Sequence, residues 1–317
     1  MTQYIIRRLL QAIPILIGIS FVSFLVVMLA PGNPLNSLYP DYMLKKMDQA
    51  KIREQLGLDK PVAEQYLDMM GKLLTGKLDS FVERRPVIDM IAEKLPATII
   101  LTVTTLILSL LIAIPLAIFS TVHRGSKIDG AVDVISLLGI SLPSFFIALV
   151  LLLIFSEKFH WLPSSGIRPL GANGYNPQQI APYLVMPVIV LSLGVLPALM
   201  RYARAGMLEV MQEDYIRTAR AKGVSERMVI LRHALPNALL PVVAEVGLLI
   251  PWLLGGVAIT ETIFGISGLG RLEVTSAIAR DYPVILTINL YVAALVLISG
   301  IVTDIVYSIL DPRIRLG

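Results

Sequence analysis

Apolar residues gather in six long stretches, approximately residues 9–30, 97–122, 134–156, 182–201, 239–260 and 284–306, with charge returning between them. Each is close to the ~20 residues an α-helix needs to cross about 30 Å of hydrocarbon, where only helices and closed barrels satisfy their own backbone. None has the two-residue alternation of a barrel strand. The pattern predicts an all-α integral membrane protein with six transmembrane helices. Pro115, Pro143, Pro187, Pro197 and Pro251 fall inside the predicted spans, and kinks are expected there because proline frees a carbonyl one turn back. The connection from 31 to 96 differs in kind. It carries ten basic and ten acidic residues, and its stretches 43–56 and 62–74 read as amphipathic helices. Residues 37–61 are too apolar for a disordered tract, and no internal repeat is visible.

Charge adds an orientation, because short loops rich in Lys and Arg stay in the cytosol. Arg7 and Arg8 precede the first span, Arg124 and Lys127 follow the second, a run of basic residues from Arg201 to Arg232 follows the fourth, and Arg313 and Arg315 lie at the chain end. With six alternating spans all fall on one side, so both termini are expected in the cytosol. The long, nearly neutral 31–96 segment is expected outside, since loops of this length translocate largely regardless of charge. The organisation read from this is a cytosolic N-terminus and first span (1–30), an external helical segment (31–96), a five-helix transmembrane core (97–310) with a cytosolic loop at 202–236, and a cytosolic tail (311–317). The first span is too long for a signal-peptide core and Ala30-Pro31-Gly32 is a poor cleavage site, so it reads as a retained anchor.

Composition agrees with a bilayer: 56% of residues are hydrophobic, 16% are charged and the mean hydropathy is +0.75, too apolar for a soluble domain of this length. The chain has no cysteine, which removes disulfides, thiolate nucleophiles and Cys-based metal sites. The net charge of +4 belongs to orienting residues beside the spans, not to a nucleic-acid footprint. No Gly-x-x-x-x-Gly-Lys-Ser/Thr loop is present to hold ATP phosphates. His123, His160 and His233 lie in separate loops with no His-Glu-x-x-His face for zinc, and no Gly-x-Ser-x-Gly elbow occurs. Gly265-Ile266-Ser267-Gly268-Leu269-Gly270 looks phosphate-like, but behind a span on the external side it reads as a tight turn. The sequence thus offers no catalytic, cofactor-binding or metal site.

The most telling segment is a charged island between two apolar spans, Asp214-Tyr215-Ile216-Arg217-Thr218-Ala219-Arg220-Ala221-Lys222-Gly223, closing at Leu235-Pro236. Glu209, Glu213 and Asp214 suit a helix start, and Gly223 suits a helix stop. Arg217, Arg220 and Lys222 stand at roughly helical spacing and give a basic face, with Ala219 and Ala221 small enough for close contact. Positive-inside anchoring explains the basic residues but not the ordered small residues and the glycine.

The spacing of Arg217-Thr218-Ala219, Gly223 and Leu235-Pro236 resembles the Glu-Ala-Ala loop of ATP-binding-cassette (ABC) importer permeases. Arg217, Thr218 and His233 depart from that family's Glu, Ala and Ile, and the wording Tyr-Ile-Arg-Thr-Ala-Arg-Ala-Lys-Gly is similar to its peptide-permease branch. The resemblance extends to Tyr4-Ile5-Ile6-Arg7-Arg8, Ala30-Pro31-Gly32-Asn33-Pro34, Arg280-Asp281-Tyr282-Pro283 and Asp311-Pro312-Arg313. It implies the ABC type I importer permease fold, in the dipeptide/oligopeptide (peptide/nickel) family and of first-permease type. The chain would be a non-catalytic, multi-pass subunit in a bacterial or archaeal inner membrane. Its partners would be a homologous second permease, two ATPases that bind the ATP and Mg, and an external solute-binding protein. Tyr215, Arg217, Thr218, Ala219, Arg220, Ala221, Lys222 and Gly223 would form the coupling helix seated in an ATPase groove.

Peptide is the cargo this resemblance implies, with nickel chelates, glutathione and oligosaccharides as alternatives. A secondary transporter should show inverted repeats and several intramembrane ionisable residues, and a membrane-embedded enzyme should show clustered catalytic groups. Here the deepest ionisable residue is Glu245, expected either to face the translocation path or to hydrogen-bond a neighbouring helix. Glu261 and Asp304 read as interfacial structural residues, and Gly139 and Gly255-Gly256 as sites of close helix packing.

Overall fold

The computed structural model describes residues 2–29, 48–55, 57, 59–123, 125–126, 130, 134, 141–172 and 174–310. Apart from an isolated β-bridge between Asp79 and Pro86, the described regular structure is helical. α1 (Thr2–Leu29) is followed by α2 (Gln49–Gln55), α3 (Val62–Leu74) and α4 (Val87–Val122). α5 (Ser144–Leu151) runs on as a π-helix, Leu152–Lys158. Then come α6 (Pro177–Val210), α7 (Asp214–Ala221), α8 (Glu226–Ala238, with a π-helical segment Val229–Ala234), α9 (Leu240–Ile263), α10 (Leu269–Ala279) and α11 (Tyr282–Leu310).

Four of these, α1, α4, α6 and α11, are long and apolar enough to cross a membrane, and α8 with the start of α9, bent by 47°, is long and apolar enough only if the two are taken as one span. Most of the predicted span 134–156 before Ser141 lies outside the described residues, as do Arg124, Lys127, Gly139, the 30–47 segment and the tail from Asp311; of the predicted helix 43–56, residues 49–55 are helical as α2 and 43–47 and 56 lie outside the described residues. The prolines of α4, α6 and α9 sit inside continuous helices. Pro143 instead occupies the N-cap of α5 and begins it, a position where the missing N–H costs nothing. α4 begins at Val87 and not near 97, so one helix joins the 31–96 segment to the second predicted span.

The bundle centre reverses a soluble core. On α4 the buried face is small and partly polar, with Thr98, Leu101, Thr102, Thr105, Ser109, Ala113 and Ala117, while Ile99, Val103, Ile107 and Leu111 are exposed. Lipid is as apolar as leucine, so helices here associate by close packing at small residues. That face lies against α6 and α9 in two stacked clusters, one around Leu101, Leu184 and Val257, the other around Ala113, Val195 and Leu253. α11 packs on α9 and α1, and α1 is pinned to it by Tyr4 and Arg8, both hydrogen-bonded to Asp304.

Candidate functional site

α7 sits where α6 leaves the bundle. Ile216 and Ala219 form its inward face and are buried against Met207, Val229, Ile230 and Ala234. Tyr215, Arg217, Thr218, Arg220, Ala221 and Lys222 are exposed. Of the two small residues, Ala219 packs on its own chain and Ala221 is exposed. α8 is brought equally close. A Cβ on Gly206 of α6 would stand 2.3 Å from the Ala238 carbonyl oxygen, so only glycine admits that crossing.

α7 ends in a Schellman turn. The Gly223 N–H donates to the Arg220 carbonyl at 2.9 Å and the Val224 N–H to the Ala219 carbonyl at 3.3 Å, with Gly223 at φ 77°. No atom lies within 4 Å of a Cβ built on Gly223. The requirement for glycine within this chain is thus left-handed backbone, not lack of space.

The turn brings Glu226 beneath Arg220. Arg220 Nε and Nη2 donate to the two Glu226 oxygens at 3.0 and 2.7 Å, a bidentate pair. That hydrogen bond lowers the Glu226 pKa and raises that of Arg220. The basic face expected from Arg217, Arg220 and Lys222 is accordingly smaller, because Arg220 is spent holding the loop closed. Arg217 has only a 3.6 Å contact with Asp214, and Tyr215 accepts a 2.9 Å hydrogen bond from Asn237 of α8. Sequence reasoning missed Glu226 and Asn237; the signal for Glu226 was Ser225 at an N-cap position four residues past the end of α7. It also missed Met228 and Leu231, which are exposed beside this basic surface. The loop presents cations and apolar side chains together, a combination suited to a protein partner with a rimmed groove.

The other singled-out acids part ways. Glu245 is half-buried on α9, and among the described residues its side chain has no hydrogen-bond or ion-pair partner. Glu261, read as interfacial, is fully buried instead. Its carboxylate accepts from the Thr98 hydroxyl at 2.6 Å and from the Arg271 N–H at 2.9 Å, while Thr98 accepts from the Leu269 N–H at 2.8 Å. These N–H groups open α10, so the phosphate-like glycine segment is an anion site already filled by the chain's own carboxylate. Asp281 acts similarly, buried and accepting from the Ser80 hydroxyl and from the Phe81 N–H at 3.0 Å.

Among the described residues no group of three or more His, Cys, Asp or Glu side chains is placed to hold a metal ion.

Residues 113–316 match the family described as binding-protein-dependent transport system inner membrane component, and residues 1–102 match its N-terminal counterpart. The chain is 40% identical over 317 residues to the oligopeptide transport system permease protein AppB of Bacillus subtilis (strain 168), covering 99% of this chain and all of that one. It is 36% identical over 333 residues to the di/tripeptide transport system permease protein DppB of Pseudomonas aeruginosa (strain UCBPP-PA14), covering 99% of each. Among solved structures it is similar to a chain of the inward-facing MetNI methionine ABC transporter, with a TM-score of 0.57 and 18% identity over 71% of this chain and 97% of that one; this likeness concerns the fold alone.

Proposed function

Since the chain belongs to the family of binding-protein-dependent transport system inner membrane components, we propose that it is one of two membrane subunits of an ATP-driven peptide importer. Full-length relatives named as oligopeptide and di/tripeptide permeases support the cargo class. The observation that carries the coupling role is α7 itself: a short helix stopped by Gly223 in left-handed backbone, with its inner face spent on Ile216 and Ala219 and its outer face offering Tyr215, Arg217 and Lys222.

In this reading a homologous second permease completes the pathway, two ATPases that carry the ATP and Mg dock on the two coupling helices, and an external solute-binding protein delivers the peptide. The six crossings alternate from a cytosolic N-terminus to a cytosolic tail in a bacterial or archaeal inner membrane. ATP binding closes the ATPase dimer, α7 and α8 move with it, and the bundle passes between two discrete arrangements. Because Ile216 and Ala219 bury α7 against α8 and the end of α6, a displacement of the loop is passed to two membrane helices at once. Glu245, half-buried and without a described partner, faces the pathway.

Uptake of labelled peptide by vesicles reconstituted with this chain, the second permease, the ATPases and the binding protein tests this. ATP-dependent accumulation supports the reading, and accumulation driven equally by an ion gradient without ATP would replace it with secondary transport.

A further inference from the structure

At the end of the bundle opposite α7, α3 does not stand clear of the membrane. Tyr66 hydrogen-bonds Ser20 of α1 at 2.7 Å and stacks edge-on against Phe21 at 5.4 Å. Ser20 lies nine residues before the end of α1 at Leu29, which is about 13 Å down the helix at 1.5 Å per residue. α3 thus runs beside the last third of a membrane span. Its outward side carries Leu67 and Leu74, 67% and 86% exposed, with Leu29 of α1 exposed alongside. An amphipathic helix so placed lies in the membrane interface.

Its other side closes a cavity of about 220 Å³ against Met28, Phe81 and Tyr282. Asp68 and Lys72 line it but are bonded to each other at 3.0 Å. Lys77, Asp79 and Arg84 also line it, and among the described residues their side chains have no ion-pair or hydrogen-bond partner. Both free cations are held by over-determined turns. The Lys77 N–H donates to the Lys72 carbonyl at 2.8 Å in a Schellman turn that ends α3. Arg84 takes left-handed backbone, φ 55°, in a turn braced by Ser80 and the buried Asp281.

We propose that this cavity binds the head group of an aminophospholipid, with Lys77 and Arg84 on the phosphate and Asp79 on the ammonium. The two free cations oppose the phosphate and the free carboxylate opposes the ammonium, and α3, which walls the cavity, packs on the membrane span α1 through Tyr66 and Ser20. A phosphatidylglycerol head group offers hydroxyls but no ammonium and would leave Asp79 without a counter-charge.

Native mass spectrometry of the delipidated complex, titrated with phosphatidylethanolamine, phosphatidylglycerol or dialanine, tests the assignment. The unmutated complex should retain phosphatidylethanolamine about tenfold better than phosphatidylglycerol, the worth of one charge-assisted contact. Lys77→Ala with Arg84→Ala should lose that adduct, Lys77→Arg with Arg84→Lys should keep it, and Asp79→Asn should remove the preference between the two lipids. Equal retention of both lipids by the unmutated complex, an undiminished adduct in the double alanine variant, or displacement of the lipid by dialanine would overturn it, the last pointing to a peptide pocket.

Discussion

The buried acids at one end of the bundle and the exposed cations at the other are handled in opposite ways. At the α10 end, Glu261 and Asp281 are buried and their oxygens are taken up by hydroxyl and backbone N–H donors from sequence-distant segments. At the α7 end, Arg217, Lys222 and Arg227 are exposed, and the loop closes on itself through the Arg220–Glu226 pair. Buried carboxylates saturated by long-range donors lock elements together. Exposed cations around Tyr215, Met228 and Leu231 leave a surface open. The contrast separates contacts completed within the chain from a surface that the proposed function gives to another protein.

The sharpest way to break it is at Gly223. Gly223→Arg should leave the chain in the membrane and abolish ATP-driven uptake, checked by membrane immunodetection beside a transport assay. Left-handed backbone costs a non-glycine residue about 1–2 kcal/mol, and the added side chain enters space that only a docked partner would fill. At the locked end, Glu261→Ala should destabilise the chain by about 3 kcal/mol, because it strands the α10 N–H groups and the Thr98 hydroxyl in a dry site. A thermal-unfolding assay of the purified complex reads this; an unchanged melting temperature would show that Glu261 locks nothing.

A smaller effect is expected at the closing pair. Glu226→Gln should reduce uptake a few-fold without loss of assembly, since an exposed pair contributes under about 1 kcal/mol even with good geometry. Glu226 has its folded pKa lowered by Arg220, so its contribution is present above the ordinary glutamate range and lost as pH falls through the lowered value. Wild-type coupling should weaken on acidification to that point, while Glu226→Gln should show no such step. The smallest effect is Glu245→Gln, predicted to shift transport rate or peptide preference with the melting temperature unchanged. Unaltered kinetics across a peptide series would remove Glu245 from the pathway.

Sequence made the bundle legible wherever one physical demand dominated. Long apolar runs mark α1, α4, α6 and α11 because a helix must satisfy its backbone in lipid. α3 appeared at its true bounds, Val62–Leu74, because its amphipathic period was intact. Gly223 was readable for a similar reason: a glycine after a short charged helix has few other uses. What stayed hidden depended on pairing at a distance. Nothing local distinguishes Ala219, which faces its own chain, from Ala221, which faces out, until α8 folds beneath α7. Glu261 read as interfacial because its partners Thr98 and Arg271 come from elements outside its own span. Arg220 read as a free cation because Glu226 reaches it only after the Schellman turn is made.

The claim that α7 is an ATPase docking surface, while the α10 end is not, can be measured directly in this cysteine-free chain. A single cysteine replaces Lys222 in one variant and Asp89 in another, both exposed positions, and thiol-labelling rates are taken with the ATPases stripped and then rebound. The account predicts strong protection at position 222 on rebinding and no change at position 89. Equal labelling at position 222 with and without bound ATPases would contradict it.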